Sequence, residues 1–201
     1  MIQRKELATT AEIAEWYDRK FTDMGGAWKT PDSEWAEHLA RMGVVSGNLI
    51  DLGCGDGSFI RYATGKYPGL RGYGIDISFV GIMMAYITRS HTPDNERQFF
   101  FIRDMADTQM LPESFDYATS LGSMEHCLDI PCVLREARRI LKPSGTLYIY
   151  APNETWTAID QPNETLMNFD EWEERLYHAG FRVDGYWPLG NNNAYLARRL
   201  L

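Results

Sequence analysis

The stretch from Asn48 to Phe59, NLIDLGCGDGSF, constrains this chain more than any other. Leu49 and Ile50 make a short apolar run of the kind that forms a buried strand, and Asp51 closes it. Gly53, Gly55 and Gly57 follow at alternate positions, and beyond Ser58 the residues Phe59, Ile60, Ala63 and Tyr67 recur at helical spacing. Strand, glycine-rich turn and helix in that order bring a ligand against bare backbone, because glycine accepts positive φ and carries no side chain. An ordinary tight turn has the same composition, so the rest of the chain must decide.

Downstream, strands and helices alternate. Strands are predicted at 71–77, 98–102, 115–121 and 146–150, with Lys142-Pro-Ser-Gly145 as the turn into the last of these. Helices are predicted from Ser78 through Ile87, from Pro131 to Leu141, and from Phe169 to Ala179. Residues Phe79 to Ile87 are apolar almost all round, which predicts a buried helix. Two closing strands, 181–187 and 194–198, are near enough in sequence to form a hairpin. Strands joined by helices need right-handed crossovers. The expected fold is therefore α/β: a seven-stranded, mostly parallel Rossmann-like sheet with an antiparallel edge hairpin and helices on both faces.

The first 47 residues read as two helices. Ile13, Trp16, Tyr17 and Phe21 share a face before Gly25-Gly26, and a second helix starts at Thr30-Pro31 and carries Trp35 and Leu39. The aromatic load here suits either core packing or a lid over a bound ligand. We expect one domain over 1–201, with a helical lid at 1–47, hinged at the glycine pair, and a core at 48–201. An aromatic face attracts cations, and Trp28, just past the hinge, is placed nearest the ligand.

The net charge of −8 argues against a nucleic-acid or anionic-membrane surface. Cys54, Cys127 and Cys132 have no CxxC spacing, so neither a disulfide framework nor a metal site is expected. The N-terminal residues lack a signal-peptide core, and the run from Phe79 to Ile87 is too short to span a bilayer. A cytoplasmic location is the expectation.

Candidate site residues collect at the strand ends. Asp76 ends the second strand nineteen residues after Gly57 and can accept both ribose hydroxyls of a nucleoside. Asp104 ends the third and can accept an adenine amino group, with Met105 beside the ring. Dinucleotide sites use GxGxxG, but here the third glycine comes one residue early and Ser58 takes its usual place. No lysine follows, which excludes a Walker loop. Asp51 and Asp56 flank the turn, which repels pyrophosphate and suits a positively charged adenosine compound.

Leu49 to Gly57 resembles the first motif of class I S-adenosylmethionine-dependent methyltransferases. Gly74-Ile-Asp-Ile-Ser78 resembles the second, and Arg103-Asp104 with Phe115-Asp116 the third. Ser120 to His126 and Arg139 to Gly145 are similar to later landmarks of the small-molecule branch, although Ser144 stands where a second glycine is usual. The resemblance implies S-adenosylmethionine as cofactor and methyl transfer to a small-molecule acceptor. It places Gly53, Cys54 and Gly55 along the methionine part, Asp51 at its amino group, Asp76 at the ribose, and Asp104 with Met105 around adenine. Ile77 and Leu121 complete the implied set.

Methyl transfer from a sulfonium is an in-line displacement, in which the protein aligns the reactants and excludes water. A base is needed where the acceptor is protonated, and His126, with Glu125 as second candidate, lies just past the fourth strand for that role. His38, His91 and His178 are expected at solvent. A nicotinamide oxidoreductase, an aminopropyltransferase and a non-catalytic donor-binding subunit are the competing classes. Residues 1–47 and 152–168, which would line the acceptor pocket, carry no motif that identifies the acceptor.

Overall fold

The computed structural model describes residues 7, 9–25, 30–157 and 161–200. Two N-terminal helices, α1 (Thr10–Met24) and α2 (Asp32–Met42), precede β1 (Ser46–Leu52). There follow α3 (Ser58–Lys66), β2 (Gly69–Asp76), α4 (Phe79–Arg89), β3 (Gln98–Ile102), β4 (Phe115–Leu121), α5 (Ile130–Ile140), β5 (Leu141–Pro152), α6 (Phe169–His178), β6 (Phe181–Leu189) and β7 (Asn192–Arg199). The sheet runs β3-β2-β1-β4-β5-β7-β6. All pairs from β3 to β5 are parallel, and β7 lies antiparallel to both β5 and β6. The expected fold class is the observed one.

Alternation along the strands builds a core on each face. Ile50, Leu52, Leu147 and Ile149 turn to one face, where Val133 and Leu134 of α5 and Trp172 and Leu176 of α6 cover them. Leu49 and Tyr148 turn to the other, under Leu39 of α2, Phe59 and Ile60 of α3, and Ile82 of α4. Local signals set the helix ends: Thr9 and Glu12 form a capping box at α1, Gly25 ends it at φ +67°, and Asp129 caps α5 through the Cys132 amide. Among the described residues no helix is long and apolar enough to cross a membrane.

Four expectations need correction. The helix α4 is buried only along Gly81, Ile82 and Ala85, while Phe79 and Ile87 are 56% and 60% exposed, with Met83 and Tyr86 beside them. A helix on the outside of a layered fold meets the sheet with one stripe, whatever its composition. The cap of α2 is Pro31, with no side-chain bond, rather than Thr30. The 142–145 turn lies inside a longer β5 as a register shift, since Leu141 pairs with Phe115 and Thr146 with Tyr117. His38 is buried, its Nδ1 2.9 Å from the Tyr148 hydroxyl, whereas His91 and His178 are exposed as expected.

Candidate active site

The strand order reverses between β1 and β4, and the carboxyl ends there open into a cavity of about 700 Å³. That place and size are those of a small-ligand site in an open α/β sheet. The turn after β1 forms its floor. Gly53 sits at φ +84°, and a Cβ there would lie 2.5 Å from Ser123 Cβ, so no side chain fits. The Gly53 and Cys54 amides both donate to the Ile75 carbonyl at 2.9 Å, which fastens the turn to β2. Cys54 lines the cavity, but its thiol is packed into the core against Gly74.

The strand-end acids converge as expected. Asp76 accepts the Gly55 amide on Oδ2 and the Ser78 amide on Oδ1, each at 2.8 Å. Each of its oxygens keeps a lone pair for a ligand. Asp51 is buried and accepts the Thr119 hydroxyl at 2.7 Å. Burial, reinforced by the nearby Asp76 charge, pushes its carboxyl up to about 7 against the pull of that hydrogen bond. Asp104 accepts the Ala106 amide at 2.8 Å and the Thr10 hydroxyl of α1 at 3.3 Å. Ile77, Met105 and Leu121 line the same cavity. Trp28 lies outside the described residues.

Glu125 and His126 stand on a 3₁₀ turn, Met124–His126, just after β4. Two serines set that turn: Ser123 donates to the Leu52 carbonyl at 2.7 Å, and Ser120 accepts the Met124 amide at 3.0 Å. Glu125 is 2% exposed and its Oε2 makes no hydrogen bond. Burial, with Glu164 adding to it, pushes this carboxyl up to about 8. His126 holds Nδ1 2.9 Å from the Pro162 carbonyl and Nε2 3.7 Å from Glu125 Oε1. The Thr165 amide donates to the Glu125 carbonyl at 2.8 Å, which ties the 161–168 segment to the turn.

That segment and α1 supply residues outside the expected site set, Tyr17 having been expected only as part of the aromatic lid. Glu164 is buried and lines the cavity. Tyr17 of α1 sets its ring edge-on to His126 with centroids 6.0 Å apart, and its hydroxyl donates to Gln161 Oε1 at 3.2 Å. Burial first, then the neighbouring carboxylates, hold that hydroxyl well above its ordinary titration range. Asp18 anchors α1 across the site by accepting the Ser78 hydroxyl at 2.6 Å and the Val80 amide at 3.0 Å, at the start of α4. The helical spacing of α1 marked its apolar face, while Asp18 and Tyr17 act across contacts to chain 60 or more residues away.

A doubly wound sheet with a bare glycine turn and strand-end carboxylates where the strand order reverses defines a Rossmann-like domain. The chain belongs to the methyltransferase domain family, whose pattern matches residues 27–186. It is 26% identical over 150 residues to a ubiquinone biosynthesis O-methyltransferase of Idiomarina loihiensis, covering 67% of this chain and 59% of that protein. It is 30% identical over 152 residues to a 27-O-demethylrifamycin SV methyltransferase of Amycolatopsis mediterranei, covering 68% and 54%. The chain thus spans between half and about three fifths of the length of these relatives. Its fold is similar to that of the [4+2]-cyclase SpnF, at TM-score 0.85 and 16% identity over 98% of both chains. It is also similar to that of a geranyl diphosphate C-methyltransferase from Streptomyces coelicolor A3(2), at TM-score 0.81 and 12% identity over 97% of this chain and all of that one.

Proposed function

We propose that this chain is an S-adenosylmethionine-dependent methyltransferase acting on a small-molecule acceptor. The observation that carries the reading is the floor of the cavity: a side-chain-free turn at Gly53 bounded by Asp51 and Asp76, both carboxyls open to a ligand. Asp51 is positioned to pair with the donor's ammonium and Asp76 with its ribose, while Asp104 and Met105 frame the base. The donor supplies an activated methyl on sulfur. The protein aligns the acceptor with that methyl, shields both from water and takes up a proton where the acceptor carries one. The Nε2 of His126 is the proton acceptor of this scheme.

A dinucleotide is disfavoured at the helix that would hold it. Asp56 Oδ1 accepts both the Ser58 amide and the Ser58 hydroxyl, so a carboxylate occupies the α3 N-terminus where a pyrophosphate would bind. Thr10, Ile13, Tyr17 and Phe21 of α1 line the cavity, which supports residues 1–47 as the lid of the site and 48–201 as its core. The free cysteines among the described residues support a reducing, cytoplasmic setting, and the acidic balance supports a chain without nucleic-acid or membrane partners. Calorimetric titration with S-adenosylhomocysteine tests the proposal.

A further inference from the structure

We propose that the methyl acceptor is an uncharged molecule with a flat apolar body and a hydroxyl or carbonyl oxygen, held by Tyr150 and Asn192 beneath Trp35 of α2. This rests on the methyltransferase reading and names the acceptor's place and class. The strand register carries the argument, because residues paired across a sheet point to the same face. Asp51 of β1 pairs with Thr119 of β4. Two residues further along β4, Leu121 pairs with Tyr150 of β5. Two residues beyond Tyr150, Pro152 pairs with Asn192 of β7. These side chains therefore form one strip, running from the cavity floor to β7 on the face that α2 and α3 cover. Leu121, Tyr150, Pro152 and Asn192 all line the cavity.

The strip adjoins the place given to the donor. Leu121 is one strand and two residues from Asp51, about 8 Å by the spacings of a sheet. Asp51 is assigned to the donor's ammonium, and the sulfonium is only a short carbon chain away from that group. An acceptor resting on Leu121 and Tyr150 is thus within reach of the methyl.

The walls of the strip and its polar ends select the ligand. Trp35 and Phe59 line the cavity above it, their ring centroids 5.4 Å apart. His38 backs this wall, 6.1 Å from Trp35 and 4.9 Å from Tyr150, and burial keeps its ring neutral at pH 7. Its charged neighbours, Glu34 and Arg41, are not part of the cavity lining. Among the described residues neither the Tyr150 hydroxyl nor the Asn192 carboxamide has a hydrogen-bond partner, and neither is sealed within the protein. Burial, then the Glu34 charge, hold the Tyr150 hydroxyl protonated, and Glu125 of the cavity acts on it as well. The two groups together offer donors and acceptors without a charge, which complements a hydroxyl or carbonyl oxygen. An ammonium finds no carboxylate on the strip once Asp51 holds the donor. A carboxylate meets the Asp51 and Asp76 charges and has no cation to offset them.

The test uses the full chain saturated with S-adenosylhomocysteine, titrated with 2-phenylethanol, ethylbenzene, phenethylamine and phenylacetate. These probes share a ring and differ at the end of the chain. The alcohol is expected to bind at least about tenfold more tightly than the amine or the acid. Tyr150→Phe and Asn192→Leu should each lower the alcohol's affinity relative to ethylbenzene by at least about fivefold, since ethylbenzene has no oxygen to hold. Trp35→Ala should weaken the alcohol and ethylbenzene together. The S-adenosylhomocysteine titration of each variant reports that it is folded. An amine or acid that binds as tightly as the alcohol, no binding of the alcohol, or an alcohol-to-ethylbenzene ratio unchanged in either polar variant overturns the inference. So does a Trp35→Ala protein that holds both probes as wild type does. Failure of the wild-type chain to bind S-adenosylhomocysteine would instead overturn the methyltransferase reading beneath it.

Discussion

The Nδ1 of His126 lies 2.9 Å from the carbonyl oxygen of Pro162, and this contact settles which ring nitrogen carries the proton. A carbonyl can only accept, so Nδ1 donates, and the neutral ring presents an unprotonated Nε2 on the side of Glu125. A segment with no sequence motif thereby fixes the tautomer that the proposed role of His126 requires. His126→Gln is expected to lower turnover by about 10²–10⁴ while donor affinity stays nearly unchanged. The wild-type rate should rise with pH as the ring loses its proton, and the variant's rate should not. Pre-steady-state rates measured beside donor binding check this; a parallel loss of both would assign His126 to structure.

Two substitutions separate the structural role of Asp76 from its proposed one. It holds the Gly55 and Ser78 amides, and the proposal gives its remaining lone pairs to the ribose. Asp76→Ala should cost roughly 1.5–3 kcal/mol of donor binding, the scale of hydrogen bonds to a charged group. Asp76→Asn keeps one acceptor oxygen and should fall between wild type and Ala. Equal donor affinity in all three proteins, by calorimetry, would remove Asp76 from the site.

The proposed pairing of Asp51 with the donor's ammonium predicts a pH-dependent affinity. Its carboxyl is raised to about 7, so it is largely protonated at pH 5.5 and ionised at pH 8. An ammonium favours the ionised form, and binding therefore expels a proton. Donor affinity should climb towards tenfold per pH unit below 7 and level off above it. In Asp51→Asn the climb should flatten and the plateau affinity should fall. A wild-type affinity independent of pH from 5.5 to 8 would contradict the assignment.

What the sequence made legible followed from local rules. Asp51, Asp76 and Asp104 were visible because a strand end followed by a turn fixes where a side chain points, and Gly53 because only glycine fits there. Ser144 stood out as a departure, and at φ +61° it holds the left-handed conformation that glycine usually supplies. Glu164 was not legible: it lies in a second copy of Pro-Asn-Glu-Thr, and long-range bonds such as Thr165 to Glu125 and His126 to Pro162 bring its segment to the cavity. The outer face of α4 was misread because apolar composition reports what a helix is made of and not how much sheet lies beneath it. His38 was misread because its burial comes from long-range packing against Tyr148 and Tyr150.

That buried histidine gives a stability prediction. Burial first, then the Arg41 charge, lowers His38 from 6.5 to about 4, even though Glu34 Oε1 lies 3.7 Å from Nε2. The folded protein keeps the ring neutral while the unfolded chain protonates it below pH 6.5. The contribution is present in full above 6.5 and is lost as pH falls towards 4, amounting to roughly 3 kcal/mol at the extreme. Urea unfolding of wild type and His38→Phe at pH 7.5, 5.5 and 4.5 should show a gap that narrows or reverses in favour of the variant as pH falls. A constant gap would mean that the ring does not titrate on unfolding.

The most direct measurement is a calorimetric comparison of S-adenosylhomocysteine with NAD on the same protein. The acidic, side-chain-free turn and the carboxylate at the α3 N-terminus predict micromolar affinity for the sulfur nucleoside. They predict NAD binding weaker by about a hundredfold or more, a gap of about 2.7 kcal/mol. Tighter binding of NAD, or no binding of S-adenosylhomocysteine, would contradict a methyl-donor site in this chain.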